Sequence, residues 1–318
     1  MSSTTALPTP GFATARGPFR LAVAMVVVTT VTILWGAMTT STGSGLAYLS
    51  WPLSNGELMP VSSYTTLPGF LEHFHRIFGA LAGLLSLSLA LWLHLGRDVE
   101  GQRFDRTARR TALYGLGLIV AQGVIGGVGV LKGLPALTSV THGTLAQLTL
   151  ATFSCIAYQN SHRYRTTDPV RTVRPGSGRA IVTIALLVLV AQTVIGALAR
   201  HTNDERALWT HVGNALVVFV MATVATAFAT GKFREVQGIV GVSRSIVGLL
   251  ILQLALGFVA LVIRNDAGKT PENVANLGTA IVISVHVLFG ALLTTLMATL
   301  AAHVFRASRA PASRDVVA

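Results

Sequence analysis

Four histidines stand at one end of four hydrophobic runs, and each is followed four residues later by a glycine or an alanine: His75 by Gly79, His142 by Ala146, His211 by Ala215 and His286 by Gly290. The first and last share more, reading HRIFGAL and HVLFGAL. A neutral imidazole is a good axial ligand for haem iron, and a small residue one helical turn away leaves room for a flat macrocycle to approach the backbone. Two such histidines in each half of the chain suggest two ligand pairs. A single histidine in an apolar segment is most often a hydrogen-bonded structural residue, but four at repeat-equivalent positions favour metal or haem ligation.

The other five histidines do not fit this pattern. At 1.5 Å rise per residue, His94 lies roughly 28 Å along its helix from His75, and His303 roughly 26 Å from His286, so neither reaches the same site. His73 points about 200° around the helix from His75. His162 falls in a basic connection and His201 in a short connection at the opposite end of the spans. All five are expected to be structural or solvated.

Glu72 is the only acidic residue that falls inside a hydrophobic span. It shares a helix face with His75, three residues on, and stands at ion-pair spacing from Arg76. A carboxylate beside a ligand histidine could stabilise positive charge on a substrate carbon or relay protons. An interfacial Glu72–Arg76 pair that merely snorkels is the other reading, and spacing alone leaves both open.

These residues need a membrane scaffold. Of the 318 residues 52% are hydrophobic and 11% charged, and the mean hydropathy is +0.63, which excludes an ordinary soluble protein. Spans of about 20 residues can be drawn at 20–39, 71–95, 111–131, 136–159, 179–199, 207–230, 245–263 and 276–305. The sequence therefore predicts an all-α integral membrane protein of eight transmembrane helices. Eighteen Lys and Arg lie in the ends and connections on one side, among them Arg97, Arg110, Arg163 and Arg179, and five on the other, among them Lys132, Arg200 and Arg264. The positive-inside rule places both termini in the cytoplasm and the four histidines toward the outer side of the cell (inner) membrane. The net charge of +12 is then a topology signal, and no nucleic-acid partner is expected, because the basic residues are dispersed over short loops. No A-x-A cleavage site follows the first hydrophobic run, which reads as a retained span. Cys155, the single cysteine, allows no intramolecular disulfide and reads as a small core residue.

An internal repeat organises the helices. The third, fifth and seventh spans carry AQGVIGG, AQTVIGA and LQLALGF, each with a glutamine (Gln122, Gln192, Gln253) four residues before a glycine (Gly126, Gly196, Gly257); the first span keeps only Gly36. In each case the following span delivers one of the four histidines, so the unit is a helix pair occurring four times. Taken alone, the Gln-x-x-x-Gly pattern reads as helix packing rather than ligand contact. The expected organisation is a disordered cytoplasmic N-terminus (1–19), a four-helix half (20–159), a basic cytoplasmic linker (160–178), a pseudo-repeated second half (179–305) and a cytoplasmic tail (306–318).

Glu72-x-x-His75-Arg76, a histidine opening each even-numbered span, the 4 + 4 repeat, and Thr42-Gly-Ser-Gly-Leu46 followed by Trp51-Pro52 together resemble the haem A synthase family, over about residues 20–305. The resemblance implies an oxidoreductase that oxidises a methyl group on one pyrrole ring of haem O to a formyl group, making haem A for terminal oxidases. It implies that His211 and His286 bind a resident haem b in the C-terminal half. It also implies that His75 and His142 are iron ligands flanking the N-terminal site where substrate haem O reacts, with Glu72 near the reacting carbon and Arg76 paired with Glu72 or with a haem propionate. Haem O synthase, terminal oxidase assembly factors and a second copy of the chain are the partners it suggests. Two features depart from the family: the outer loop carries no cysteine pair, and Leu49-Ser50 stand where Pro-Asp usually precedes Trp-Pro. Oxidation of an unactivated methyl group needs a strong oxidant or one-electron steps, which haem iron supplies and side chains do not. Two alternatives use the same histidines: a di-haem b-type electron carrier, and a non-catalytic haem-delivery protein, which would not need Glu72.

Overall fold

The computed structural model describes residues 16–97, 101, 103–167, 170, 175–267 and 277–308. The expected disordered terminus before residue 16 and the tail from 309 onward lie outside these residues. The described chain forms α1 (Arg16–Ser41), a short α2 (Ser62–Thr65), α3 (Leu67–Leu95), α4 (Arg106–Leu131), α5 (Ala136–Asn160), a short α6 (His162–Thr166), α7 (Pro175–Thr202), α8 (Glu205–Lys232), α9 (Ile239–Ala267) and α10 (Leu277–Ala307). Apart from residue 276, each expected span falls inside one long helix. The helices begin earlier than hydropathy suggests: residues 16–19 and 175–178, expected in the N-terminus and the linker, are helical. Among the described residues there is no sheet, only the isolated bridges Ser54–Glu57 and Arg97–Arg103.

Helix starts are written locally. Asp105 caps α4 by accepting from the backbone N–H of Thr107 at 2.8 Å and Ala108 at 3.2 Å, Asp204 caps α8 through Arg206 N–H at 2.8 Å, and Thr66 caps α3 through Gly69 N–H at 3.2 Å. The α4–α5 turn closes with Gly133 at φ 72° and Leu134 at φ 58°, and the α7–α8 turn, only two residues long, with Asn203 at φ 53°. Left-handed backbone of this kind is what a tight antiparallel reversal requires.

Seven of the long helices are long and apolar enough to cross a membrane, judged by length and composition. The protein is an all-α, multi-pass membrane protein. The exception is α5, whose interior carries Thr144, Gln147, Thr149, Thr152 and Ser154. Its polarity has a packing reason: α5 lies against α1, α4, α7 and α10. Hydroxyls turned to the helix's own carbonyls satisfy themselves, as Thr149 does at Leu145 O and Thr152 at Leu148 O, both 2.8 Å.

Packing follows the repeat. Helix α1 packs on α3 and α4 on α5, just as α7 packs on α8 and α9 on α10. One apolar core, with Met25, Leu89, Leu93, Phe153 and Ile156, lies among α1, α3, α4 and α5, and a second, with Leu189, Ile246, Leu250 and Met297, among α7 to α10. Ile33, Leu150 and Ala291 join them where α1, α5 and α10 meet. At the end of the bundle remote from the four histidines, Arg179 donates to Ser308 O at 2.9 Å and Arg306 to Tyr164 O at 3.0 Å, tying α7 to the end of α10 and α10 to α6.

Candidate haem sites

The structure brings the four histidines together as two pairs. His75 on α3 and His142 on α5 face each other with ring centroids 6.2 Å apart and planes at 78°. His211 on α8 and His286 on α10 stand 6.3 Å apart at 84°.

Each ring rests on a glycine of the preceding helix. A Cβ built on Gly36 would lie 2.6 Å from Cε1 of His75, on Gly126 2.8 Å from His142, on Gly196 2.6 Å from His211 and on Gly257 3.0 Å from His286. The repeated glycine is thus a packing residue, as expected, but what it packs against is the imidazole. The residue four before it completes the socket. His142 Nδ1 donates to Gln122 O at 3.2 Å, His211 Nδ1 to Gln192 O at 3.2 Å and His75 Nδ1 to Thr32 O at 3.1 Å. A carbonyl can only accept, so the proton sits on Nδ1 and Nε2 keeps its lone pair for a metal. The glutamine amides return the bond, Gln122 Nε2 donating to His142 O and Gln192 Nε2 to His211 O, both at 2.9 Å. His286 departs from the pattern: among the described residues its buried Nδ1 has no partner within hydrogen-bonding geometry, although the Gln253 backbone is again its neighbour, and its Nε2 lies 3.5 Å from Gln253 Nε2.

The first pair opens onto a cavity of about 560 Å³, lined among others by Gly36, Glu72, His75, Gly79, Gly126 and His142. A Cβ on Gly79 would meet nothing within 4 Å, so the small residue after His75 does leave open space beside the ring. Glu72 is 3% exposed. Its Oε2 accepts from Tyr48 N–H at 3.0 Å, and its Oε1 is ion-paired with Arg76. Arg76 also donates to Ser50 O at 2.7 Å, Leu53 O at 3.1 Å and Tyr48 O at 3.0 Å. The pair is therefore not a solvated snorkel, and both of its members are bonded to the loop. It pins the 44–57 loop over the cavity, where Trp51 packs so tightly on Gly127 that a side chain there would collide with the indole.

Of the five remaining histidines, His73 is buried and holds the same loop through Ser54 Oγ at 2.9 Å and Met59 Sδ at 3.0 Å. His94 bonds Ala90 O at 2.9 Å, His303 stacks on Tyr158 at 3.9 Å, and His162 opens α6. His201 was expected in a loop. It lies instead on the last turn of α7 and, with Arg200, lines the cavity beside His142. Hydropathy cannot find these two, because α7 continues three residues past the last apolar position. Cys155 packs on α10, its Sγ 3.7 Å from Ala298 O.

The residues fit haem. A bare ion takes three or more side-chain ligands, and among the described residues no His, Cys, Asp and Glu group of that size could hold one. Iron carried in a porphyrin needs only axial ligands. An imidazole nitrogen binds a first-row transition metal at about 2 Å, so two rings on opposite sides of one iron have centres roughly 6 Å apart. Both pairs have that spacing.

Residues 19–218 match the COX15-CtaA family, described as cytochrome oxidase assembly protein. The chain belongs to this family. The COX15-CtaA match includes three of the four histidines, with His286 beyond it. The chain is 30% identical over 217 residues to a heme A synthase of Symbiobacterium thermophilum, covering 66% of this chain and 68% of that one. It is 26% identical over 281 residues to the heme A synthase of Bacillus licheniformis (76% and 86%) and 24% identical over 296 residues to that of Shouchella clausii (92% of each).

Proposed function

We propose that this protein is a haem A synthase, in which the His75–His142 site takes haem O and the His211–His286 site holds a resident haem b. The observation that carries the reading is the asymmetry of two otherwise equivalent sites. Both have a facing imidazole pair on glycine sockets, but among the described residues only the first adds a carboxylate, Glu72, on the wall of an open cavity. A di-haem carrier or a delivery protein would need that carboxylate only to hold the loop, whereas the enzyme reading also gives it a place beside the reacting carbon.

Written with water as the oxygen source, conversion of a ring methyl to a formyl group takes up one water and releases four protons and four electrons, and the electrons must pass to an acceptor outside this chain. Haem iron supplies the one-electron chemistry that side chains lack. The protein's part is to hold and shield. His75 and His142 fix the substrate between α3 and α5, and Gly79 and Ala146 let its plane approach the helices. The loop pinned by Arg76 keeps water from the reacting carbon. Glu72, oriented by Tyr48 N–H and Arg76, offers negative charge to positive charge developing on that carbon, or accepts its proton.

In this reading all eight long helices span the membrane as two pseudo-repeated four-helix bundles, 20–159 and 179–305, with both termini cytoplasmic and the haem sites toward the outer side, a placement that the eighteen-to-five distribution of basic residues supports. The central position of α5 accounts for its lower hydropathy. Haem O synthase and terminal oxidase assembly factors are the partners that this placement implies. The test is to extract pigments from a haem-O-producing host with and without the gene: haem A appears only with it, and haem O unchanged in both cultures overturns the proposal.

A further inference from the structure

We propose that Arg200 is the anchor for a carboxylate of the ligand in the His75–His142 cavity, which makes this site selective for porphyrins that keep their propionates free. The inference rests on the haem reading above.

The position breaks the repeat. Each socket glycine is followed four residues later, on the same helix face, by Thr40, Val130, Arg200 or Leu261; only one of the four is charged, and it is the one that reaches across to the other half. Arg200 Nη2 donates to Ala37 O at 2.9 Å and to Ser41 Oγ at 2.7 Å. Ala37 adjoins Gly36, the residue under the His75 ring. Ser41 is in turn 3.0 Å from Ser284 Oγ on α10. The guanidinium is therefore held rigidly where α1, α7 and α10 converge, and it lines the cavity.

Among the described residues its charge is paired with no carboxylate. Among the described residues the only ion pair is Arg76–Glu72, and Arg76 is further committed to three loop carbonyls. Arg200 has five N–H donors, and the bonds to Ala37 O and Ser41 Oγ use Nη2 alone, so Nε and Nη1 are not engaged by them. A guanidinium set among membrane helices is costly unless it meets an anion or a polar cavity. An apolar macrocycle carrying carboxylates at one edge supplies both: its plane fills the cavity and a carboxylate takes the remaining N–H groups in charge-assisted hydrogen bonds.

The experiment is a spectroscopic titration of the purified full chain, carrying its resident haem, with iron protoporphyrin IX and with its dimethyl ester. The signal followed is the part that disappears in His75→Ala. Wild-type protein should bind the free acid about tenfold or more tighter than the ester. Arg200→Gln should lower affinity for the free acid to that for the ester and leave ester binding as it was, whereas Arg200→Lys should keep part of the preference. The spectrum of the resident haem serves as the folding control. Equal affinity of the wild-type protein for the two porphyrins overturns the proposal without recourse to any variant, as does a preference that survives in Arg200→Gln; either result leaves the haem reading standing. Absence of any His75-dependent signal with both porphyrins overturns that reading and this one together.

Discussion

Gly196 lies against the imidazole of His211 so closely that a methyl group on its Cα would stand 2.6 Å from Cε1. The same relationship recurs at the other three histidines. It explains why a glycine, rather than any small residue, stands one turn after Gln122, Gln192, Gln253 and Thr32. The carbonyl of the earlier residue accepts the Nδ1 proton in three of the four sockets, and the glycine lets the ring lie flat enough to reach it.

Gly196→Ala should therefore disturb ligation before it disturbs the helix. Overpacking of this kind costs about 1–3 kcal/mol, and part of that is relieved by turning the ring away from Gln192 O. Absorption spectra of the purified variant should show loss of the low-spin signal of the resident haem. Gly213→Ala is the control, because a Cβ there meets nothing within 4 Å, and its spectrum should match wild type.

His211→Ala and His286→Ala should each remove the low-spin spectrum, since a six-coordinate iron loses an axial ligand. His75→Ala should leave that signal in place. Two variants with an unchanged signal would move the resident site elsewhere in the bundle.

Arg76→Met should release the outer loop. The substitution removes the ion pair with Glu72 and three bonds to loop carbonyls, and hydrogen bonds from charged groups contribute about 1.5–3 kcal/mol each. Limited proteolysis from the outer side should cut between residues 44 and 61 about tenfold faster or more than in wild type, because local opening tracks the bonds that hold a segment down. Unchanged cleavage would mean that His73, through Ser54 and Met59, is sufficient to hold the loop.

Reporter fusions after residues 105, 170, 238 and 310 should report cytoplasm, and fusions near 60, 134, 203 and 270 the outer side. A cytoplasmic signal near residue 60 would reverse the placement of all four histidines.

Much of this was legible in the sequence because membrane helices announce themselves by length and apolarity, and because a repeat exposes equivalent positions even when each residue alone is ambiguous. His75, His142, His211 and His286 were found that way, and their pairing across 6.2 and 6.3 Å follows the repeat. Thr32 was invisible because its part in the socket is played by a backbone carbonyl, which any residue type supplies. Arg200 and His201 read as loop residues because polar residues at a helix end look like the turn that follows, and the true turn is only Asn203 and Asp204. The role of Arg76 depended on the path of the 44–57 loop, which carries no periodic signal. The polarity of α5 suits its central position, where hydropathy alone undervalues it.

The central claim is that the two sites divide the work, the first oxidising and the second holding a resident haem, and Glu72→Gln tests it most directly. The substitution keeps shape and an acceptor for Tyr48 N–H while removing the negative charge and the acceptor for Arg76, which still holds the loop through the Ser50, Leu53 and Tyr48 carbonyls, so its effect should fall on turnover rather than binding. Haems extracted from cells expressing this variant beside wild type should show haem A collapsing, with haem O or a hydroxylated intermediate accumulating, while the purified variant keeps the His211–His286 low-spin signal. Wild-type levels of haem A in the Glu72→Gln cells would contradict the account and return Glu72 to a purely structural pairing with Arg76.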